Sequence, residues 1–383
     1  MAAAEVIALA VVVTLPSSPA VADSFRDDQW YLKSLSISRA HAISRGAGVV
    51  VGLVDTGAYP HPDITRNLLP GTTLIPGENG DGRSDKGGHG TNMAALIAAH
   101  GRGPNDGILG IAPAAKVLPI KISNDEKSIP SAKVIGDGID WAVANKASVI
   151  NVSAVAGPAF EIEDAVAAAI KANIVVVAGV GNASSSALVG YPAAIDGVLA
   201  VGATGRDGKH ASLSVKGAKV QICAPGVDIT TAEPERRYVD VDGTSASTAI
   251  VSGAAALVRA KFPHLSAPEV INRLTATADD IGPPGRDDEC GYGRLNIVRA
   301  LTADVPPLGK ANPPTSATPS AAASGGAPPG YIDPGATTAA QEPRAEESSS
   351  SSGALPLVLG VVAGLLAAGG LVAFLVVRRR RGF

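Results

Sequence analysis

Three residues of this 383-residue chain could together break an acyl bond, and each stands among small residues where one predicted element gives way to another. Asp55, followed by Thr56 and Gly57, comes directly after the apolar run Val49 to Val54. His89 lies between Gly88 and Gly90 at the head of an Ala-rich stretch, and Ser245 follows Gly243 and Thr244 at the head of another that runs to about Phe262. A serine hydroxyl is a weak nucleophile unless a base takes its proton, and an imidazole serves best when a carboxylate fixes its tautomer and stabilises the imidazolium. Taken singly, none of these motifs decides. Asp-Thr-Gly is also found in aspartic proteases, but those need two carboxylates sharing a proton, and the tripeptide occurs once. A histidine at a helix start is commonly a cap or a packing residue, and Gly-Thr-Ser before a helix is commonly only an N-cap. Gly46, Gly48 and Gly52 do not sit between the end of a strand and a following helix, which removes a dinucleotide-binding loop.

Side chains so far apart in sequence need a scaffold to converge them. Short runs rich in Val and Ile recur at Val49 to Val54, Lys116 to Ile122, Ser148 to Val152, Ile174 to Ala178, Val198 to Val201 and Val220 to Cys223. They are nearly continuous rather than alternating, as strands covered on both faces are. Helical patterns lie between them, including Thr91 to His100, Ile129 to Asn145 and Ile162 to Ala172. Alternation of strand and helix predicts an α/β fold with a mostly parallel central sheet and helices on both faces, and a ligand site at the carboxyl ends of the strands. Asp55, His89 and Ser245 all belong to that end.

Composition narrows the function classes. Hydrophobic residues make up 46% of the chain and aromatics only 3%, so the apolar content is aliphatic and a wholly disordered chain is excluded. With a net charge of -3 and one dense basic run, Arg378 to Arg381, there is no electrostatic footprint for nucleic acid. Two cysteines leave no Cys-based zinc site, and no metal is assigned.

The ends of the chain read differently from its middle. Residues 1–22 have the shape of a secretory signal, with an apolar run from Val6 to Leu15 and a small-x-small series ending at Ala22. Residues 23–302 form the folded part, including a short N-terminal extension. Residues 303–353 turn to Pro, Ala, Ser, Thr and Gly and predict an unfolded linker. Residues 354–377 carry no charge and are long enough for one transmembrane helix, and the Arg-rich tail at 378–383 belongs on the cytoplasmic side. The chain is therefore expected to be a single-pass protein of the cell membrane, with its folded part extracellular.

The order Asp, His, Ser, in the contexts Val-Asp-Thr-Gly, His-Gly-Thr and Gly-Thr-Ser, resembles the subtilisin-like serine proteases, from about Gly48 to Ala300. Val175 to Asn182, Gly190 to Pro192, Cys223 to Gly226 and Gly291 to Asn296 look like further segments of that family. Two departures stand out: Ser247, Thr248 and Ala249 replace the family's Ala-Thr-Pro or Ala-Ala-Pro, and Ser153, Ala154 and Val155 replace its Ser-Leu-Gly. The membrane architecture, with Gln29 and Trp30 near the mature start, resembles the mycosins, the membrane proteases of actinobacterial type VII secretion systems.

The resemblance implies a serine endopeptidase acting on protein or peptide substrates, with Ser245 as nucleophile, His89 as general base and then acid, and Asp55 as the orienting carboxylate. Asn182 and the backbone N–H of Ser245 form the oxyanion hole. Ser153, Ala154, Gly179, Gly181 and Gly190 line the primary substrate pocket, which without a carboxylate favours uncharged side chains and, being built of small residues, leaves room for a medium or large one. Cys223 and Cys290 are expected to pair. No cofactor is required for the chemistry, and a structural calcium ion in the Gly101 to Gly107 loop is left open. A type VII secretion membrane complex is the implied partner; a general cell-surface protease and a mainly structural subunit of a secretion complex are the alternatives.

Overall fold

The computed structural model describes residues 24–125 and 130–308. The expected signal segment, transmembrane run and Arg tail, and the linker beyond residue 308, lie outside the described residues. Among the described residues no helix is long and apolar enough to cross a membrane.

The apolar runs become β1 (Val50–Asp55), β3 (Lys116–Lys121), β4 (Val149–Val152), β5 (Val175–Gly179), β6 (Leu199–Thr204) and β7 (Ile222–Pro225), joined by a two-residue β2 (Thr72–Thr73). Together they form one seven-stranded sheet in the order β2-β3-β1-β4-β5-β6-β7. Every pairing is parallel. The order reverses at β1, which has β3 on one side and β4 on the other. In open parallel sheets the crevice for a ligand lies at such a switch point, beyond the carboxyl ends. Asp55 is the last residue of β1.

Successive strand residues face opposite ways, so each run feeds two cores. Val175 and Val177 join the cluster that holds Met93, Ile250, Val251 and Leu257. Val176 and Ala178 join the cluster that holds Ile135, Ile139, Ile162 and Val166. On the first face lie α4 (His89–Ala98), α7 (Thr244–Lys261), α8 (Ala267–Ala276) and α9 (Ile297–Thr302); on the second, α5 (Ala132–Ala144) and α6 (Phe160–Lys171). The hairpin β8 (Ile229–Glu233) with β9 (Arg237–Val241) is antiparallel and leads into α7.

All three expected helices start elsewhere than the apolar periodicity predicts, α6 at Phe160 rather than Ile162, and for α4 and α5 the reason is capping. Helix α4 begins at His89, before Thr91, because the Asp85 carboxylate accepts the N–H groups of Gly88 (2.9 Å) and Thr91 (2.8 Å) and so satisfies the first turn. Helix α5 begins at Ala132 rather than Ile129, where Ser131 caps it by accepting from the Val134 N–H.

Three short helices, α1 (Ser24–Asp28), α2 (Trp30–Ser34) and α3 (Ile37–His41), open the described part. Gln29 both accepts from and donates to the Leu109 backbone, and the Trp30 indole donates to Asp228 O. Calcium takes six to eight oxygen ligands, and the Gly101 to Gly107 loop does not fit that requirement. Its carbonyls at Gly107 (2.7 Å), Asp106 (3.0 Å) and Pro104 (3.4 Å) already accept from the Arg26 guanidinium, a cation supplied by the chain itself.

Cys223, in β7, is bonded to Cys290 across a sequence separation of 67. The closing segment lies alongside, with Cys223 N–H donating to Gly293 O (2.9 Å) and Leu295 N–H to Cys223 O (2.8 Å). A loop of that length, once closed, removes enough freedom from the unfolded chain to stabilise the fold by about 4 kcal/mol. Urea unfolding in the presence of reductant is expected to show a loss of that order, and coincident curves with and without reductant would contradict it.

Burial holds the imidazoles of His41, His61, His100 and His210 below the ordinary histidine range. For His61 desolvation outweighs the opposing pull of Asp63, and its Nδ1 accepts the Asp63 N–H at 3.1 Å, a bond only the neutral ring can make. A lowered folded-state pKa means that the unfolded chain takes up the proton more readily, so acid favours unfolding. Stability is therefore expected to fall as pH drops below about 6.5, before most carboxylates titrate. Melting temperatures recorded between about pH 8 and pH 5 check this; a flat profile there would contradict it.

Candidate active site

The register of the sheet aligns the site before any side chain is considered. Val54 pairs with Val152, and Val152 with Ala178, so the next row across β1, β4 and β5 is Asp55, Ser153 and Gly179. Each of the three residues thus emerges at the same level of the carboxyl edge. Helix α7 closes over this edge: Ser153 Oγ lies 3.5 Å from the Ser245 carbonyl, and a Cβ on Gly179 would lie 3.2 Å from Thr244 Oγ1.

Asp55 is buried, and its Oδ1 lies 2.7 Å from His89 Nδ1 and accepts the Thr56 N–H at 2.7 Å. The contact spans 34 residues of sequence, so something must hold α4 against β1. Asp85 does so. It is buried, and its Oδ1 accepts from Thr56 Oγ1 (2.9 Å) and Gly88 N–H while its Oδ2 accepts from Thr91 N–H and Thr91 Oγ1 (2.6 Å). The circuit closes where the Gly90 N–H donates to Thr56 Oγ1 at 2.9 Å. Glycine is required on both sides of the imidazole: Gly88 has φ +87°, and a Cβ on Gly90 would lie 1.9 Å from Gly57 O. Held this way, His89 presents Nδ1 to the carboxylate.

Ser245 is the second residue of α7, half-buried at a helix N-terminus whose dipole favours developing negative charge. The helix is anchored by the residues that replace the expected Ala-Thr-Pro. Ser247 Oγ donates to Ala224 O (2.9 Å) and Pro225 O (3.1 Å), and Thr248 Oγ1 donates back to Thr244 O (2.7 Å). Asn182 stands opposite. Its amide oxygen accepts from Thr244 N–H (3.0 Å) and Thr244 Oγ1 (3.2 Å), which fixes the rotamer and leaves Nδ2 as the donor end, beside Gly243.

Of the expected pocket residues, Ser153 follows β4 and Gly179 ends β5 at the same level of the sheet edge. Gly181 and Gly190 both lie beside Val155, and the neighbouring backbones are joined by Ala156 N–H to Tyr191 O (2.9 Å) and Tyr191 N–H to Ala156 O (3.0 Å). The Tyr191-Pro192 bond is cis. Ala154 packs against the core cluster that holds Ile135 and Ile162. Val155 lies directly against Gly190: its Cγ1 is 2.0 Å from where a Cβ on Gly190 would sit.

Two contributors escape a reading by motif. Asp85 gives only a weak sign, an acidic residue ahead of a Gly-Gly-His helix start. Thr244 reads as part of the serine motif, and nothing local shows that its side chain orients Asn182 from 62 residues away.

A parallel α/β sheet with a carboxylate and imidazole paired at its switch point, and a serine and an amide donor at the head of the adjacent helix, defines a serine hydrolase. Residues 46–293 match the Subtilase family (Peptidase S8) model, and the chain belongs to that family of serine endopeptidases. It is 39% identical to subtilisin DY of Bacillus licheniformis over 264 residues, 67% of this chain and 92% of that protein. Among solved structures it is similar to MycP1 with the N-terminal propeptide removed, at 31% identity and TM-score 0.65, covering 72% of this chain and 98% of the other. It is also similar to the MycP3 protease from the type VII (ESX-3) secretion system, at 30% identity and TM-score 0.61, covering 72% and 88%. MycP1 from Mycobacterium smegmatis aligns over 76% of this chain and 88% of that one, with 29% identity and TM-score 0.63.

Proposed function

We propose that the chain is a membrane-anchored serine endopeptidase in which Asp55, His89 and Ser245 form the catalytic triad, and that it processes proteins of a type VII secretion system. The observation that carries the chemistry is the 2.7 Å approach of His89 Nδ1 to the buried Asp55, at the carboxyl edge where Ser245 and Asn182 also stand. Ser245 Oγ attacks the substrate carbonyl while His89 Nε2 takes its proton. The oxygen that becomes negative is received by Asn182 Nδ2 and the Ser245 N–H. His89 then gives the proton to the leaving amine, with Asp55 compensating the imidazolium throughout. A water molecule, activated by the same imidazole, releases the acyl group.

The secretion assignment rests on the likeness to the MycP1 and MycP3 structures together with the membrane architecture of the sequence. A free protease could digest protein without an anchor. Here a charge-free run at 354–377 precedes Arg378 to Arg381 and follows a linker at 303–353. A flexible chain of that length reaches only ~40 Å, which confines the site to substrates emerging near the membrane. Docking to a secretion complex does not need the Ser245 hydroxyl. Quantitative comparison of secreted proteins from wild type, a gene deletion, Ser245→Ala and a chain ending at Thr302 tests the proposal. Deletion should impair secretion more than Ser245→Ala, and the shortened chain should keep peptidase activity without restoring secretion. Full rescue by the shortened chain would favour a general surface protease.

A further inference from the structure

We infer that Val155 caps the primary specificity pocket, so that the enzyme cleaves after small uncharged residues such as Ala or Ser and rejects Leu, Phe and Arg at that position. The inference deepens the protease reading above and rests on Ser245 being the nucleophile beside this slot.

Ser153 to Ala156 continue the direction of β4 beyond the sheet, and their side chains alternate between faces. Ala154 and Ala156 pack against the hydrophobic cluster beneath. Val155 lies between them, with its methyl groups toward Gly190 and Gly181. Its position is pinned on the far side by the two backbone hydrogen bonds between Ala156 and Tyr191. The facing walls offer no side chains of their own at Gly181 and Gly190, and the isopropyl group reaches toward both. Cγ1 lies 2.0 Å from the place of a Cβ on Gly190, and Cγ2 lies 3.8 Å from the place of a Cβ on Gly181. The space that two glycines open is thus occupied from the third side. Val155 has little freedom to swing away, because branching at Cβ restricts χ1. A methyl or hydroxymethyl group can enter above it, whereas a phenyl or isobutyl group must displace it or the backbone behind Gly190. No wall residue of the slot carries a carboxylate to meet a guanidinium or ammonium group, so burying such a charge there is unfavourable.

The test uses the full chain in detergent and a peptide series that differs only in the residue on the acyl side of the scissile bond: Ala, Leu, Phe or Arg. Labelling of Ser245 by a fluorophosphonate probe is measured in parallel. Wild type should cleave the Ala peptide at least ~10-fold more efficiently, by kcat/KM, than the Leu or Phe peptide. Val155→Gly should raise the Phe-to-Ala ratio by ~10-fold or more, and Val155→Ala by a smaller factor in the same direction. The graded pair guards against a variant that fails to fold, which a melting curve would reveal. Wild-type preference for Leu or Phe, or ratios unmoved in both folded variants, would overturn the role of Val155 while leaving the peptidase intact. Absence of labelling at Ser245 would instead remove the nucleophile assignment, and the pocket assignment with it.

Discussion

Purified Ser245→Ala protein is expected to lose hydrolysis by a factor on the order of 10⁶ in kcat, the size of loss taken over from nucleophile removal in subtilisin, with its melting temperature preserved. The two outcomes separate chemistry from folding. The hydroxyl sits half-buried at the head of α7 rather than in the apolar packing, and alanine is a better helix former than serine. What anchors the helix lies at Ser247 and Thr248, whose bonds to Ala224, Pro225 and Thr244 the change leaves alone. The residual rate should not reach zero, since donors aimed at the oxyanion and substrate binding act without a nucleophile. Steady-state kinetics on a peptide ending in Ala, with melting by circular dichroism, measures both quantities. Retention of more than about a tenth of wild-type kcat would remove Ser245 from the mechanism.

Asp55→Asn should lower kcat by about 10⁴-fold with KM much less affected. The amide has nearly the shape of the carboxylate and keeps one oxygen, so the buried position is filled. It replaces the other oxygen by a donor and removes the charge that favours the imidazolium as His89 takes the serine proton. A donor facing Nδ1 also turns the ring to the tautomer with its proton on Nε2, which then cannot accept from Ser245. A loss confined to kcat marks a group acting in the transition state. An equal loss through KM and melting temperature would make Asp55 a packing residue only, and a decline of less than about tenfold would contradict the assignment outright.

Sequence alone determined the features that depend on neighbours in the chain. The Val and Ile runs predicted strands that the structure places within three residues, because β-branched residues suit a pleated surface covered on both sides. Asp55, His89 and Ser245 were legible for a related reason: each must leave its element at a turn of restricted conformation, and that requirement writes glycine beside it, at Gly57 (φ +98°), Gly88 (φ +87°) and Gly243 (φ +150°). What only the tertiary structure decided is which distant side chain completes each local arrangement. Asp85 reads as a solvated acid until α4 is laid against β1, where its carboxylate joins Thr56 to Gly88 and Thr91. Arg26 reads as a surface cation until its guanidinium meets Gly107 O, 81 residues away. Val155 stands out in the sequence only as a departure from Ser-Leu-Gly until Gly190, on a different loop, is brought against its methyl group. A local pattern specifies backbone conformation through short-range sterics and hydrogen bonds; occupancy of a space between two segments depends on where the whole sheet places them.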